Sequence, residues 1–401
     1  VLVAKRSSVP LTRYHFCRGP QGNFSMTGMH ANRKLVGFVV DGLLPSLSVE
    51  SMRRLGPRSI YLGGRSQTAM GVMRFGWIAD AVNRGAYDGL SYELYRPLRR
   101  YDMLIFVKSM GPDCIRLAHE YRARGKPVLF DINVNYFETQ GVWYYESMKT
   151  TPHAQEKAIA MARECNGVMA ASLAIEEAAR RHNSLTTWIP DNVNLDLVPA
   201  SSTGGRPGRR LRLLWSGQTA KLFDLLTVEE VLRASKNDVD LVLITNDLSG
   251  LELVYEPYRS RLKKLLEDLE CKIIRYESIP QLLRVYGAGG VIISPRFLDS
   301  SYNRGHTEWK VTLGMACGCV AVCSPQESYV EVARRSAGAG IRVCRDAAGW
   351  TAVLDEMLGG SFSWDSEQAA ARHVVATHYS TAVVAEQHAR FVKSLLDVEA
   401  A

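Results

Sequence analysis

The chain has 401 residues, a net charge of +8, and 46% apolar and 22% charged residues. That is the composition of a globular domain protein, and the length exceeds a single ordinary core, so two domains of roughly 200 residues are expected. No run of about 18 apolar residues occurs, which speaks against a membrane-spanning helix. The positive charge is dispersed and carries no nucleic-acid-binding signature, so an anionic substrate or a negatively charged membrane surface fits it better than nucleic acid does.

Residues 1–33 read as a basic N-terminal extension: residues 1–40 hold six Lys or Arg and no acid. A signal peptide's apolar centre is missing from this stretch, and a cytoplasmic location, with the inner membrane surface as a variant of it, is the expectation. Apolar runs then follow at Leu35–Val40, Ser59–Leu62, Met103–Val107, Val128–Ile132, Val168–Ala171 and Thr187–Ile189. Helical periodicity falls between several of them, at Met70–Asn83, Cys114–Arg124, Gln155–Cys165 and Leu173–His182. Short apolar strands alternating with helices of 10–15 residues imply a parallel sheet covered on both faces.

The stretch 199–210 is rich in Pro, Gly, Ser and Arg and reads as a linker. A second series of strands follows at Leu211–Trp215, Leu241–Thr245, Lys272–Tyr276, Val291–Ser294, Val320–Cys323 and Ile341–Val343. Its helices are Lys221–Ala234, Pro257–Leu269, Pro280–Tyr286, Thr307–Cys317 and Tyr329–Arg335, and Trp364–Val398 is mostly helical. The expected fold class is α/β, with two Rossmann-like domains facing across a cleft. These are residues 34–198 for an acceptor, 211–375 for a nucleotide, and a final helix, 376–401, crossing back onto the first domain.

In open parallel sheets ligands bind beyond the carboxyl ends of the strands, so the residues after each strand are the candidates. The strongest group is Asn303, Arg304, Gly305 and His306 in a polar loop, with Thr307 and Lys310 three residues apart at the start of a helix. A helix N-terminus with a hydroxyl and an ammonium is an anion site, most plausibly for a diphosphate. Gly217 to Lys221 follows the strand Leu211–Trp215. Gly217 lets backbone approach a ligand, and Lys221 supplies a second cation. Asp131 and Asn133 end a buried strand, where a carboxylate and an amide can bind sugar hydroxyls or orient a nucleophile. Gly42 with Leu43 and Gly64 with Arg65 follow earlier strands and complete the acceptor side. Strict Walker, GxGxxG and GxSxG patterns are absent. Eight cysteines lack metal-ligand spacing, so no metal and no cofactor are expected.

The segment SPRFLDSSYNRGHTEWKVTLGMACGCVAVCSP resembles the donor-site signature of GT-B glycosyltransferases, in particular the family 4-like group. There a loop with Asn and Arg precedes a Ser/Thr-x-x-Lys helix, an MA-x-G turn and an apolar strand; here these are Asn303, Arg304, Thr307, Lys310, Met315-Ala316 and Gly318. LRLLWSGQTAK, Ile189-Pro190-Asp191-Asn192-Val193 and Asp131-Ile132-Asn133-Val134-Asn135-Tyr136-Phe137 are similar to further segments of that group. The resemblance implies that Lys310 and Lys221 hold the diphosphate of a nucleotide sugar, that Tyr276 and Glu277 contact the base, and that the sugar moves with retention and without a metal. Its acceptor would be a glycan, a lipid-linked or a small-molecule hydroxyl compound, with Asp131 and Lys310 as the catalytic pair. In one respect the chain departs from the family: the glutamate three residues after the signature lysine, which grips the ribose, is Leu313. Glu308 and Glu327 are the neighbouring acids, and Asp299 is nearest to the usual acid of the sugar-binding loop. A non-catalytic GT-B-like partner or binding protein, and a nucleotide-sugar epimerase or hydrolase, are the alternative readings. The sequence sets no oligomeric state.

Overall fold

A computed structural model describes residues 33–40, 71–87, 89–199 and 210–397. It contains two parallel six-stranded sheets. The first comprises β1 (Lys34–Val40), β2 (Leu90–Leu94), β3 (Met103–Val107), β4 (Val128–Ile132), β5 (Gly167–Ala170) and β6 (Thr186–Trp188), in the order β2-β1-β3-β4-β5-β6. The second comprises β7 (Leu211–Ser216), β8 (Val239–Thr245), β9 (Lys272–Arg275), β10 (Val291–Ser294), β11 (Val320–Cys323) and β12 (Ile341–Val343), in the order β12-β11-β10-β7-β8-β9. Counted within its own half, the second order is 6-5-4-1-2-3, the doubly wound Rossmann arrangement, with its switch point between β7 and β10.

The central strands β3, β4, β10 and β11 are buried along their whole length and consist mainly of β-branched, leucine and phenylalanine side chains, as a sheet covered on both faces requires. Helix starts are marked by local chemistry. Ser172, Ser278 and Asp346 each accept a backbone N–H in the first turn of the helix that follows, satisfying one of its free donors. Each sheet has apolar clusters on its two faces.

The end of the chain joins the two halves. Helix Trp364–His378 lies in the core of the second sheet through Ala371, Val374 and Val375. Helix Thr381–Asp397 lies in the core of the first through Val384, Ala385, Ala389 and Val392. The chain passes over at Tyr379–Thr381, where Val193 N donates to Tyr379 O at 2.8 Å and Thr381 N donates to Val193 O at 3.0 Å. The crossing helix therefore opens at Thr381, five residues after the expected boundary.

Three sequence expectations shift. Leu90–Leu94 forms an edge strand that its half-polar Leu-Ser-Tyr-Glu-Leu pattern did not announce. Ala347–Leu358 is helical although Gly349, Thr351 and Val353 weaken the helical signal. The helix expected to open near Thr307 begins at Trp309, with Glu308 as its N-cap. The expected strand at 59–62, the residues Gly42, Leu43, Gly64 and Arg65, the linker 200–209 and residues 1–32 of the extension lie outside the described residues.

Candidate functional site

The carboxyl ends of both sheets converge on the loop between β10 and the helix Trp309–Ala316. From the second half, Gly217 follows β7 at φ +157°, and a side chain there would bring its Cβ within 2.9 Å of the Trp215 ring. Keeping that space open lets Lys310 place its ammonium 4.4 Å from the centre of the Trp215 ring, a cation–π arrangement. Among the described residues, that ammonium has no hydrogen-bond acceptor. Lys221 lies in the 3-10 helix Thr219–Val228, its Nζ 3.1 Å from His306 Nε2 and 5.2 Å from the centre of the Tyr302 ring.

An ammonium is a donor only, so Lys221 fixes the His306 tautomer: Nε2 accepts and the proton sits on Nδ1. Burial, then Lys221, Arg296 and Lys310, hold His306 well below its usual pKa, and the ring is neutral. Arg296 donates from Nη1 to Asp224 Oδ2 at 2.9 Å. The other Asp224 oxygen accepts from Phe297 N at 3.2 Å and Asn303 Nδ2 at 3.1 Å. Two ammonium groups and a guanidinium thus face one carboxylate. Burial and the positive charge of Arg296 and Lys221 push the Lys310 pKa well down, against the pull of Asp224.

The structure brings Gly217, Lys221, His306 and Lys310 together, and it gives other expected residues different work. Asn303 is buried and uses its amide on Asp224 and on Phe297 O at 2.9 Å, shaping the loop. Arg304 is exposed, and its positive charge acts on Glu327. Thr307 lies before the helix, not on its face, with its hydroxyl on the side of Asp191, whose carboxyl it helps keep ionised. Tyr276 and Glu277 stand exposed after β9, two strands from β7, where Gln281 fixes the backbone by accepting from Glu277 N at 2.8 Å. Asn133 keeps a buried Oδ1 without a partner among the described residues.

Asp131 needs a correction. It is fully buried, and Arg74 holds both of its oxygens, Nε to Oδ1 at 2.9 Å and Nη2 to Oδ2 at 2.8 Å. The same guanidinium donates to Ile189 O at 2.7 Å and pairs with Asp191 Oδ1 at 3.3 Å. A carboxylate so enclosed, with both oxygens held by Arg74, acts as a brace. The buried network of Asp131, Arg74 and Asp191 ends beside Thr307, just before the helix that carries Lys310.

A second connection went unread in the sequence. The segment 138–148 leaves the first half and runs into the second. Ser301 N donates to Gln140 O at 2.9 Å, Val142 N to Asp299 O at 3.2 Å, and Tyr255 N to Tyr144 O at 2.8 Å. Gly141 sits at φ +111°, where a Cβ would lie 2.0 Å from Asp299 O, so only glycine allows this approach. Tyr144 stacks against Phe223 and Phe297 with centroids 4.4 Å and 4.6 Å away, and its hydroxyl donates to Asp299 Oδ2 at 2.6 Å. The one signal available beforehand was the consecutive aromatic run Trp143-Tyr144-Tyr145 in an otherwise polar loop. Asp224, Arg296 and Tyr302 carried no signal beyond their place after strands.

Leu313 is buried in the apolar cluster around Ile292 and Met315 and presents nothing to a ligand. Neither nearby acid takes the missing role. Glu327 lies near Glu177 and Glu138, and Glu308 is fully buried with neither carboxylate oxygen partnered among the described residues. Burial, then Asp191, raises the Glu308 pKa well above the usual range against the weaker pull of Arg74 and Arg335, and Tyr379 packs near it. A carboxyl with a raised folded-state pKa supports the fold when protonated, and that support is lost as pH rises from the unfolded value through the folded one. Glu308→Gln does not titrate, so its stability relative to the parent should improve between pH 5 and pH 8. Thermal unfolding at the two pH values checks this; a constant or shrinking difference would contradict it.

A cavity of about 410 Å³ at the opposite, amino ends of β7–β9 is lined by Arg210, Arg212, Lys236 and Lys272. Arg210 there is used structurally, donating to Lys236 O at 2.8 Å and pairing with Asp240 at 3.0 Å. No cluster of metal-ligating side chains occurs among the described residues.

No family model matches the sequence, and neither does any curated protein. Solved structures do match. HepE from Anabaena, solved with UDP and glucose, aligns with a TM-score of 0.58 at 11% identity, over 90% of this chain and 100% of its own. This is the GT-B fold. The same architecture is found in sucrose-phosphate synthase from Thermosynechococcus elongatus, with a TM-score of 0.58 at 13% identity over 91% of this chain and 100% of that one. A glycosyltransferase from Rickettsia africae aligns with a TM-score of 0.55 at 12% identity, over 92% and 99% of the two chains. In GT-B terms the cation group lies at the switch point of the second Rossmann-like domain, and the 138–148 segment is the first domain's reach into it.

Proposed function

We propose that the protein is a glycosyltransferase that moves a sugar from a nucleoside-diphosphate donor to an acceptor hydroxyl. One observation carries this reading: hydrogen-bond donors with no acceptor among the described residues converge at the switch point. They are the Lys310 ammonium, the remaining N–H of Lys221 and the Nδ1–H of His306. Cations in excess over the single Asp224 carboxylate call for an anion of more than one charge, and a diphosphate fits. The structural neighbours support it, since HepE binds UDP and UDP-glucose.

In this reading Lys310 and Lys221 neutralise charge on the leaving diphosphate as the bond from the sugar C1 to its phosphate oxygen breaks. The acceptor oxygen bonds to C1 on the face the diphosphate leaves, which gives retention, and its proton passes to the departing phosphate oxygen. Asp131 takes no part in that transfer. The two ammonium groups supply the charge neutralisation for which other transferases use a divalent ion. Asn133, with its unpartnered oxygen, is the proposed acceptor contact from the first domain. The net charge of +8 favours an anionic or lipid-linked acceptor reached from the cytoplasmic side, with peripheral membrane contact. No described helix is long and apolar enough to cross a membrane.

The buried Leu313 favours a second reading, a GT-B-like protein that binds a nucleotide without turning it over. A thermal-shift screen with UDP, ADP, GDP and their glucose conjugates, with and without Mg²⁺, tests the first claim. A nucleotide-specific rise is expected without the metal, and no rise with any nucleotide would end both readings. Donor consumption in the presence of an acceptor library then separates transfer from binding alone.

A further inference from the structure

Tyr302 lies in the short helix Ser301–Arg304, inside the cation group. Its ring meets His306 edge-on at 4.7 Å and faces Lys221 at 5.2 Å. Its hydroxyl oxygen accepts from the Tyr145 hydroxyl at 3.4 Å, and the positive charge of Lys221 acts on it. A phenol has one proton to give, and with its oxygen accepting from Tyr145, the Tyr302 O–H has no acceptor among the described residues. Tyr145 belongs to the 138–148 segment of the first domain, which the Gly141–Ser300 bridge and the docked Tyr144 ring hold in place.

We infer that the Tyr302 hydroxyl is a further ligand of the diphosphate, and that Tyr145 is the positioning residue that turns its proton toward the anion. The inference rests on the diphosphate reading above and adds that the donor site is completed from the acceptor domain. Tyr145 donates to the Tyr302 oxygen, so the Tyr302 proton is directed away from Tyr145, on the side where Lys221 and His306 gather. The electrostatics agree: burial pushes the Tyr302 phenol up, but Lys221, Tyr145 and Arg296 together bring it below its usual value, which makes it a stronger donor. Tyr145 itself is raised by burial and by Tyr302, so it stays protonated and donating.

The test is calorimetric titration of the full chain with inorganic pyrophosphate and with UDP. Tyr302→Phe is expected to weaken both about tenfold, as loss of a hydrogen bond to a charged group does. Tyr145→Phe should weaken both about threefold, and the double variant should be no weaker than Tyr302→Phe, because Tyr145 acts only through Tyr302. Tyr144→Phe, in the same docked segment but bonded to Asp299, controls for a merely structural effect and should leave pyrophosphate affinity unchanged. Equal losses in Tyr144→Phe and Tyr145→Phe, or additive losses in the double variant, would overturn the positioning role. If the parent binds and Lys310→Met abolishes binding while Tyr302→Phe has no effect, the anion site stands and this inference falls. If the parent binds neither pyrophosphate nor any nucleoside diphosphate, the diphosphate reading itself falls.

Discussion

Arg74→Ala is expected to destabilise the protein by about 3–5 kcal/mol, the usual consequence of removing one partner from a buried ion pair. Its guanidinium is fully buried, and it holds Asp131 by two bonds, pairs with Asp191 and donates to the carbonyls of Ile189 and Pro190. Without it, two buried carboxylates and two carbonyls lose their donor. Burial already raises the pKa of both Asp131 and Asp191 against the opposing pull of Arg74, so the variant should also take up protons on folding and become least stable at alkaline pH. Arg74→Lys should rescue little, because a single ammonium cannot reproduce the fork. Urea unfolding of the three proteins at pH 6 and pH 8 reads the result. A loss below about 1 kcal/mol for Arg74→Ala would mean that the network is no brace and would return Asp131 to consideration as a base.

This network also shows which parts of the molecule were legible in the sequence. Strands such as Val128–Ile132 and Val291–Ser294 are continuous apolar runs bounded by polar turns, and such runs fix a parallel sheet almost by themselves. Lys221 could be read because it follows a buried strand at short range, and Lys310 because it opens a helix after a long polar loop. What a one-dimensional reading cannot supply is the partner across the fold. Asp131 after a buried strand looks like a catalytic carboxylate until Arg74, 57 positions earlier, is found holding both oxygens. Thr307 looks like a phosphate ligand until it is found before the helix, on the side of Asp191. Such pairs are set by how segments distant in sequence pack together, and local pattern carries none of that information.

The same reasoning explains why the 138–148 segment escaped notice. Its aromatic residues have neither period 2 nor period 3.6, so they signalled no element. Their meaning lies in Phe223, Phe297 and Tyr302, more than 75 positions away, onto which they pack. Aromatic contacts of this kind add about 0.5–1.5 kcal/mol each beyond area burial, enough together to hold one domain against the other. The proposed donor site is consequently formed at a junction, and the residues that would tune it are spread along the chain.

Lys310→Met separates binding from stability, because the two should move in opposite directions. Met keeps the apolar stem and its contact with Trp215 but removes the ammonium. If Lys310 makes two charge-assisted contacts to a diphosphate, each contributing roughly 1.5–3 kcal/mol, nucleotide affinity should fall a hundredfold or more. The ligand-free protein should gain stability at neutral pH. Burial, then Arg296 and Lys221, depress the Lys310 pKa, and Asp224 compensates only in part. The sign follows from linkage: a lysine whose folded-state pKa is lowered destabilises the fold as pH falls below its unfolded value, and the penalty is full once pH is below the folded value. The variant escapes that penalty, so its unfolding temperature should exceed the parent's at pH 7 and converge on it above pH 10. Bound anion reverses the order, since it stabilises the parent in proportion to the logarithm of its concentration over Kd and leaves the variant unchanged. Crossing stability curves, with the parent lower without UDP and higher with it, are expected of a site held under charge strain for an anion. A variant less stable than the parent in both conditions would show that Lys310 serves packing alone, and the reading of this cation group as a diphosphate site would lose its main support.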